Sequence, residues 1–194
     1  MARLTARLGM TRYEADEYYR IALDSFQKKK LEEAINNINS AIDMYPRRAE
    51  YYAVRGYFRL QDGTPTEAGA DFDQSLAINP YEILANFGKG VIAYNDKEYD
   101  EALTYFTNAW AAQPDRAETL YYLGLTFHRQ RDNVQAKYYM SQAADIYEKL
   151  AENDREARKR MRNADKWMSE FDKLIAEQLK REDVLQPSAD DASN

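Results

Sequence analysis

Three prolines, Pro46, Pro80 and Pro114, stand 34 residues apart, and each closes a run that reads as the end of an amphipathic helix: IDMYP, LAINP and AWAAQP. A fixed period of this length means one supersecondary unit copied along the chain, which cannot bury its apolar face alone and must stack on its neighbours. Other columns keep the same register. Twelve residues before the prolines stand Ala34, Ala68 and Ala102; eight before, Ile38, Phe72 and Phe106; five before, Ala41, Ser75 and Ala109. Twenty-four before stand Ala22, Gly56 and Gly90. A fourth unit continues without a proline, through Gly124, Ala136, Met140 and Ala143, with Glu148 in the proline slot.

Each column has a physical reason. Small residues mark where two helix backbones approach closely, and the bulky column fills the space between them. Proline lacks an N–H and clashes with the preceding turn, so it ends one unit and starts the next. TPTE, Thr64 to Glu67, reads as a capping box with proline at the first helical position. TRYE, Thr11 to Glu14, is a similar box and is expected to start the first helix. Composition agrees with an all-α chain: 7 glycines and 5 prolines in 194 residues.

These columns resemble the tetratricopeptide repeat, over about Ala15 to Glu148. The clearest units are AEYYAVRGYFRLQDGTPTEAGADFDQSLAINP and RAETLYYLGLTFHRQRDNVQAKYYMSQAADIY. The resemblance implies a right-handed superhelix of helical hairpins with a concave groove, followed here by a long C-terminal helix. It divides the chain into an arm (1–14), four repeats (15–48, 49–82, 83–116 and 117–148), a C-terminal helix (149–182) and a tail (183–194). It also implies a protein that binds other proteins. The position often filled by tryptophan holds Tyr18, Tyr52, Asn86 and Leu120, and Asn86 fits worst.

Some members grip the C-terminal carboxylate of heat-shock chaperones with lysine, arginine and asparagine. The matching positions here are Tyr19, Leu23, Val54, Leu84 and Gly88, so that clamp is not expected. The groove face of each unit's first helix instead reads Tyr19, Leu23, Phe26; then Ala53, Tyr57, Leu60; then Phe87, Val91, Tyr94; then Tyr121, Leu125, His128. The middle position is apolar in all four units. One reading is an apolar groove for an amphipathic helix or extended apolar peptide. The other is that these side chains pack against one another across adjacent units.

After the repeats, Ala157, Met161, Ala164, Met168, Phe171 and Ile175 are spaced as a heptad seam, widened by Trp167 and Leu174. The seam caps the exposed face of the last repeat. Alternatively, a continuous helix from Val134 to Arg181, roughly 70 Å long, projects and uses Met161, Ala164, Met168, Phe171 and Ile175 for homo-oligomer assembly. ENDRE, 152 to 156, is the expected kink. REARKRMR, 155 to 162, is read as a solvated helix face. The arm MARLTARLGM, with Leu4, Leu8, Arg3 and Arg7, lies on a partner, folds into the groove or is disordered, and the polar tail is expected to be disordered.

Composition narrows function. Cysteine is absent and His128 is the lone histidine, so no metal site or cofactor is expected. No phosphate loop or nucleophile–base pair appears, and the chain is not expected to be an enzyme. A net charge of −6 disfavours nucleic acid. There is no apolar run long enough for a membrane span or a signal peptide, and a cytoplasmic location is expected. The expected function is a non-enzymatic adaptor holding a protein or peptide partner. The alternative is a dedicated chaperone for an aggregation-prone client, resembling those of bacterial secretion systems.

Overall fold

The computed structural model describes residues 2–185, with side chains described for 11–181. Expectations for the side chains of Arg3, Leu4, Arg7 and Leu8, and for the tail beyond Leu185, lie outside these residues. The described chain is all α-helical: α1 (Ala2–Gln27), α2 (Leu31–Met44), α3 (Ala49–Gln61), α4 (Pro65–Ile78), α5 (Ile83–Asn95), α6 (Tyr99–Ala112), α7 (Ala117–Arg129), α8 (Asn133–Ala151) and α9 (Arg155–Leu185). Two compact units divide it, the first through Gln113 and the second from Pro114. Unit 1 holds the hairpins α1–α2, α3–α4 and α5–α6; unit 2 holds the hairpin α7–α8 and α9.

The repeat columns meet as their sizes require. A Cβ on Gly56 would stand 2.7 Å from the Phe72 ring, and one on Gly90 would stand 2.6 Å from the Phe106 ring. In unit 2 the same position, Gly124, faces Met140 and the Ala136 carbonyl. The first repeat balances volume differently: Ala22 takes the glycine position, and the knob is the smaller Ile38. Gly88 is closed as well, since the Phe72 ring fills the space a Cβ would need.

Helix ends follow local chemistry. Without a proline in its slot, α8 runs 19 residues, against 14 in α2, α4 and α6. The chain then turns at Glu152–Asp154, within ENDRE, and α9 packs back on α8. The turns inside the four hairpins each carry a left-handed residue: Lys29, Gly63, Lys97 and Arg131, with φ of 60°, 80°, 68° and 67°. This conformation suits glycine and costs a side-chain-bearing residue.

Two expected caps behave differently. The first helix starts at Ala2 rather than at Thr11; the stretch before Thr11 has no proline and is rich in good helix formers, so the helix continues through it. Pro65 does open α4, but Thr64 makes no side-chain cap there. Its hydroxyl donates backwards to the Arg59 carbonyl at 3.0 Å, closing the preceding helix instead.

Asn86 finds its reason in the turn before α5. It is fully buried, and its side-chain amide donates to the carbonyls of Pro80 (3.0 Å) and Glu82 (2.8 Å). Glu82 in turn accepts from the Ala85 N–H, capping α5. An aromatic residue at 86 would leave the Pro80 carbonyl without its Asn86 donor.

Candidate functional site

The side chains singled out on the first helices fall into two groups, one in each unit. In unit 1, Tyr19 of α1 tilts against Tyr51 of α3 at 5.3 Å between centroids, and its hydroxyl donates to Glu50 at 2.7 Å. Burial, with Glu50 beside it, pushes the Tyr19 phenol up. Arg48 bridges Asp16 (2.6 Å) and Glu50 (2.9 Å), and the Tyr51 hydroxyl donates to Asp16 at 2.7 Å. The upper edge of this face is therefore a self-satisfied cluster of charges and phenols.

Below it the face is carbon. Phe26 stacks on Phe58 at 4.5 Å and meets the edge of Tyr57 at 5.7 Å. Leu23, Phe26 and Tyr57 are half-buried against the core that Ile38 and Phe58 help form, and Leu60 is half-buried beside Phe72. Ala53, Phe87 and Val91 are buried, and Tyr94 is half-buried, its ring 5.6 Å from Tyr99.

In unit 2 the equivalent residues meet α9. Tyr121 and Leu125 pack on a cluster containing Ala136, Met140, Ala164 and Phe171, with Trp167 and Met168 at its edge. The His128 ring lies 5.3 Å from Trp167 and 5.2 Å from Phe171. Ala164 and Phe171 are fully buried, and Met161, Met168 and Ile175 are half-buried. The seam thus faces its own unit rather than projecting, and Tyr121, Leu125 and His128 help to seat it. Charge pairs fasten the helix at two points, Lys137–Asp172 (2.5 Å) and Arg160–Glu118 (3.5 Å). Arg160 also sits over the Tyr147 ring, whose phenol burial pushes up to about 12.

One polar group escaped the sequence reading. Asp71, almost fully buried, accepts from Arg55 through both oxygens (3.1 and 3.0 Å from Nε, 2.6 Å from Nη2) and from Arg59 at 2.8 Å. Arg55 also donates to Asn39 at 2.8 Å, tying α3 to α2 and α4. The signal available was two arginines one helical turn apart facing an aspartate that replaces the apolar or amide residues of other units. Among the described residues no cluster of acids and histidine could hold a metal ion, and no helix is long and apolar enough to cross a membrane.

A family model for the tetratricopeptide repeat matches residues 14–83 and 87–157. The chain is a tetratricopeptide-repeat protein. Among curated relatives of this repeat protein is the bovine Protein SGT1 homolog, 31% identical over 93 residues, 48% of this chain. The match spans only 28% of that relative, and 20% of its human counterpart. Among solved structures, Pseudomonas aeruginosa pilF superposes with a TM-score of 0.66 at 19% identity, over 86% of this chain and 77% of its own. The first tetratricopeptide domain of Spaghetti (RPAP3), bound to the HSP90 peptide SRMEEVD, gives 0.57 at 17% identity, over 62% and 95%. At these identities the structural likeness shows the fold.

Proposed function

We propose that this repeat protein is a non-enzymatic interaction scaffold whose α1–α3 face in unit 1 takes an apolar, amphipathic segment of a partner protein. The observation that carries this is the half-buried apolar set Leu23, Phe26, Tyr57 and Leu60 on the α1 and α3 helices, with Phe26 and Tyr57 in edge contact, beside a polar cluster that is already satisfied. Such a surface gains by losing water and offers few polar groups to direct it. Recognition of a chaperone's C-terminal carboxylate has no support in these residues. Val54 is buried, Gly88 has no room for a side chain, and the Tyr19 hydroxyl already serves an acid, Glu50.

The test selects binders from a random peptide library on the full chain, then compares the double variant Leu23→Asn, Leu60→Asn. The selected peptides should be amphipathic and apolar. Both leucines pack partly on the core, so each substitution should lower stability by about 1 kcal/mol, whereas losing two leucine contacts should weaken binding of the folded variant more than about tenfold. Peptides that bind the variant as well as wild type would sink the reading.

A further inference from the structure

The turn between α8 and α9 differs from every other turn among the described residues. The turns between repeats hold Pro46, Pro80 and Pro114, and those within hairpins hold a left-handed residue, Lys29, Gly63, Lys97 or Arg131. Glu152–Asp154 has neither, and no glycine or proline stands anywhere from Val134 to Leu185. Glu152 already carries helical dihedrals, φ −56° and ψ −41°, which leaves Asn153 and Asp154 to turn the chain. We propose that this turn is a hinge and that α9 exchanges between two copies of the chain, giving a domain-swapped dimer. The hinge lies in unit 2 and is independent of the apolar face proposed above.

The turn is lightly held. The Asn153 N–H reaches the Leu150 carbonyl at a long 3.4 Å, and Asp154 Oδ1 accepts from the Glu156 N–H at 2.8 Å. A helix running straight through replaces these with regular backbone bonds four residues apart, joining α8 and α9 into one rod of roughly 80 Å. At the proline turns the missing N–H and the clash with the preceding turn forbid the same change. Asn153 and Asp154 are weak helix formers, which favours the closed form without locking it.

The seat of α9 identifies the partner. Ala164 and Phe171 bury against Ala136, Met140 and Ala144, and the pairs Lys137–Asp172 and Arg160–Glu118 set the register. All of these contacts join α9 on one side of the hinge to α7 or α8 on the other. Exchange keeps each of them, now between chains, so only the hinge and the entropy of pairing two chains change. A second copy is the partner that supplies this seam residue for residue. The short tether holds α9 at an effective concentration on the order of 1 mM, so single chains prevail when dilute and exchange needs concentrated protein.

The experiment mixes the full chain with the same chain grown in heavy nitrogen, at about 1 mM and just below the melting temperature. Size-exclusion chromatography with light scattering isolates any dimer. A carbodiimide then joins Lys137 to Asp172 as an amide, and mass spectrometry reads the linked peptides. A dimer should form in which about half of these links join a light chain to a heavy one. Arg155 is exposed at the start of α9. Arg155→Pro suits that first helical position and blocks a continuous helix. It should melt as wild type does and give at least about fivefold less dimer. The double variant Asn153→Ala, Asp154→Ala should raise the dimer fraction at least about fivefold. No dimer from wild type or from the alanine variant overturns the proposal. So does a dimer whose links never mix isotopes, or an Arg155→Pro protein that dimerises as readily as wild type.

Discussion

Phe72 of α4 occupies the volume that a side chain on Gly56 of α3 would need, its Cε1 standing 2.7 Å from the position of a Cβ there. The same ring also closes Gly88 of α5, so one phenylalanine locks three helices. Gly56→Ala should therefore destabilise by about 1–3 kcal/mol through overpacking. Gly69, in the middle of α4, meets only Ile92 at an ordinary 3.8 Å. Gly69→Ala should instead stabilise by about 0.5–1 kcal/mol. Urea unfolding of the two variants, with opposite signs expected, checks the packing register.

Asp71 is held by Arg55 and Arg59 with only 4% of its side chain exposed. Removing the carboxylate leaves two guanidiniums facing each other without their acceptor. Asp71→Ala should cost about 3 kcal/mol. The arginines are 18% and 28% exposed and can turn partly to water, which places the loss at the low end for a broken buried pair. A midpoint in urea unchanged from wild type would show that the cluster contributes nothing net.

Deleting residues 152–194 uncovers Ala136, Met140, Ala144, Tyr121 and Leu125 together. The shortened chain should melt at lower temperature, bind a dye for exposed apolar surface and aggregate on heating. The single change Phe171→Ala should cost about 3–5 kcal/mol, as expected for a fully buried phenylalanine. A truncated protein as stable and monodisperse as the full chain would mean that α9 is not a cap.

Alkaline pH should loosen unit 2 through Tyr147. Burial lifts its phenol from 10.0 to about 12, while Arg160 pulls the other way. A group whose folded value is raised favours the folded state fully below pH 10 and loses that contribution as pH rises through about 12. Stability should fall across this window, and Tyr147→Phe should flatten the fall. Phenolate absorbance and thermal melts on both proteins give the measurement; identical slopes would assign the alkaline loss to other tyrosines.

The periodic part of this molecule was legible because it is local. The period of 34, the glycine and alanine columns and the bulky knobs describe contacts inside one hairpin or to the next, and these recur at fixed separations along the chain. Ala22–Ile38, Gly56–Phe72 and Gly90–Phe106 meet as those columns demand. The sequence alone thus settled an all-α repeat and its register.

Tertiary structure decided what has no period. An apolar row looks the same whether it faces a partner, a neighbour or the chain's own last helix, because burial depends on area and not on what covers it. Only the turn at Glu152–Asp154 sets α9 against Leu125 and His128, while Leu23 and Leu60 stay partly exposed. Asn86 looked misplaced until the Pro80 and Glu82 carbonyls came within reach, and the Thr64 hydroxyl turned back to Arg59 rather than forward into its own helix. Hydrogen bonds go to whichever partner the packed backbone brings within about 3 Å, and that choice is made only when the chain is folded.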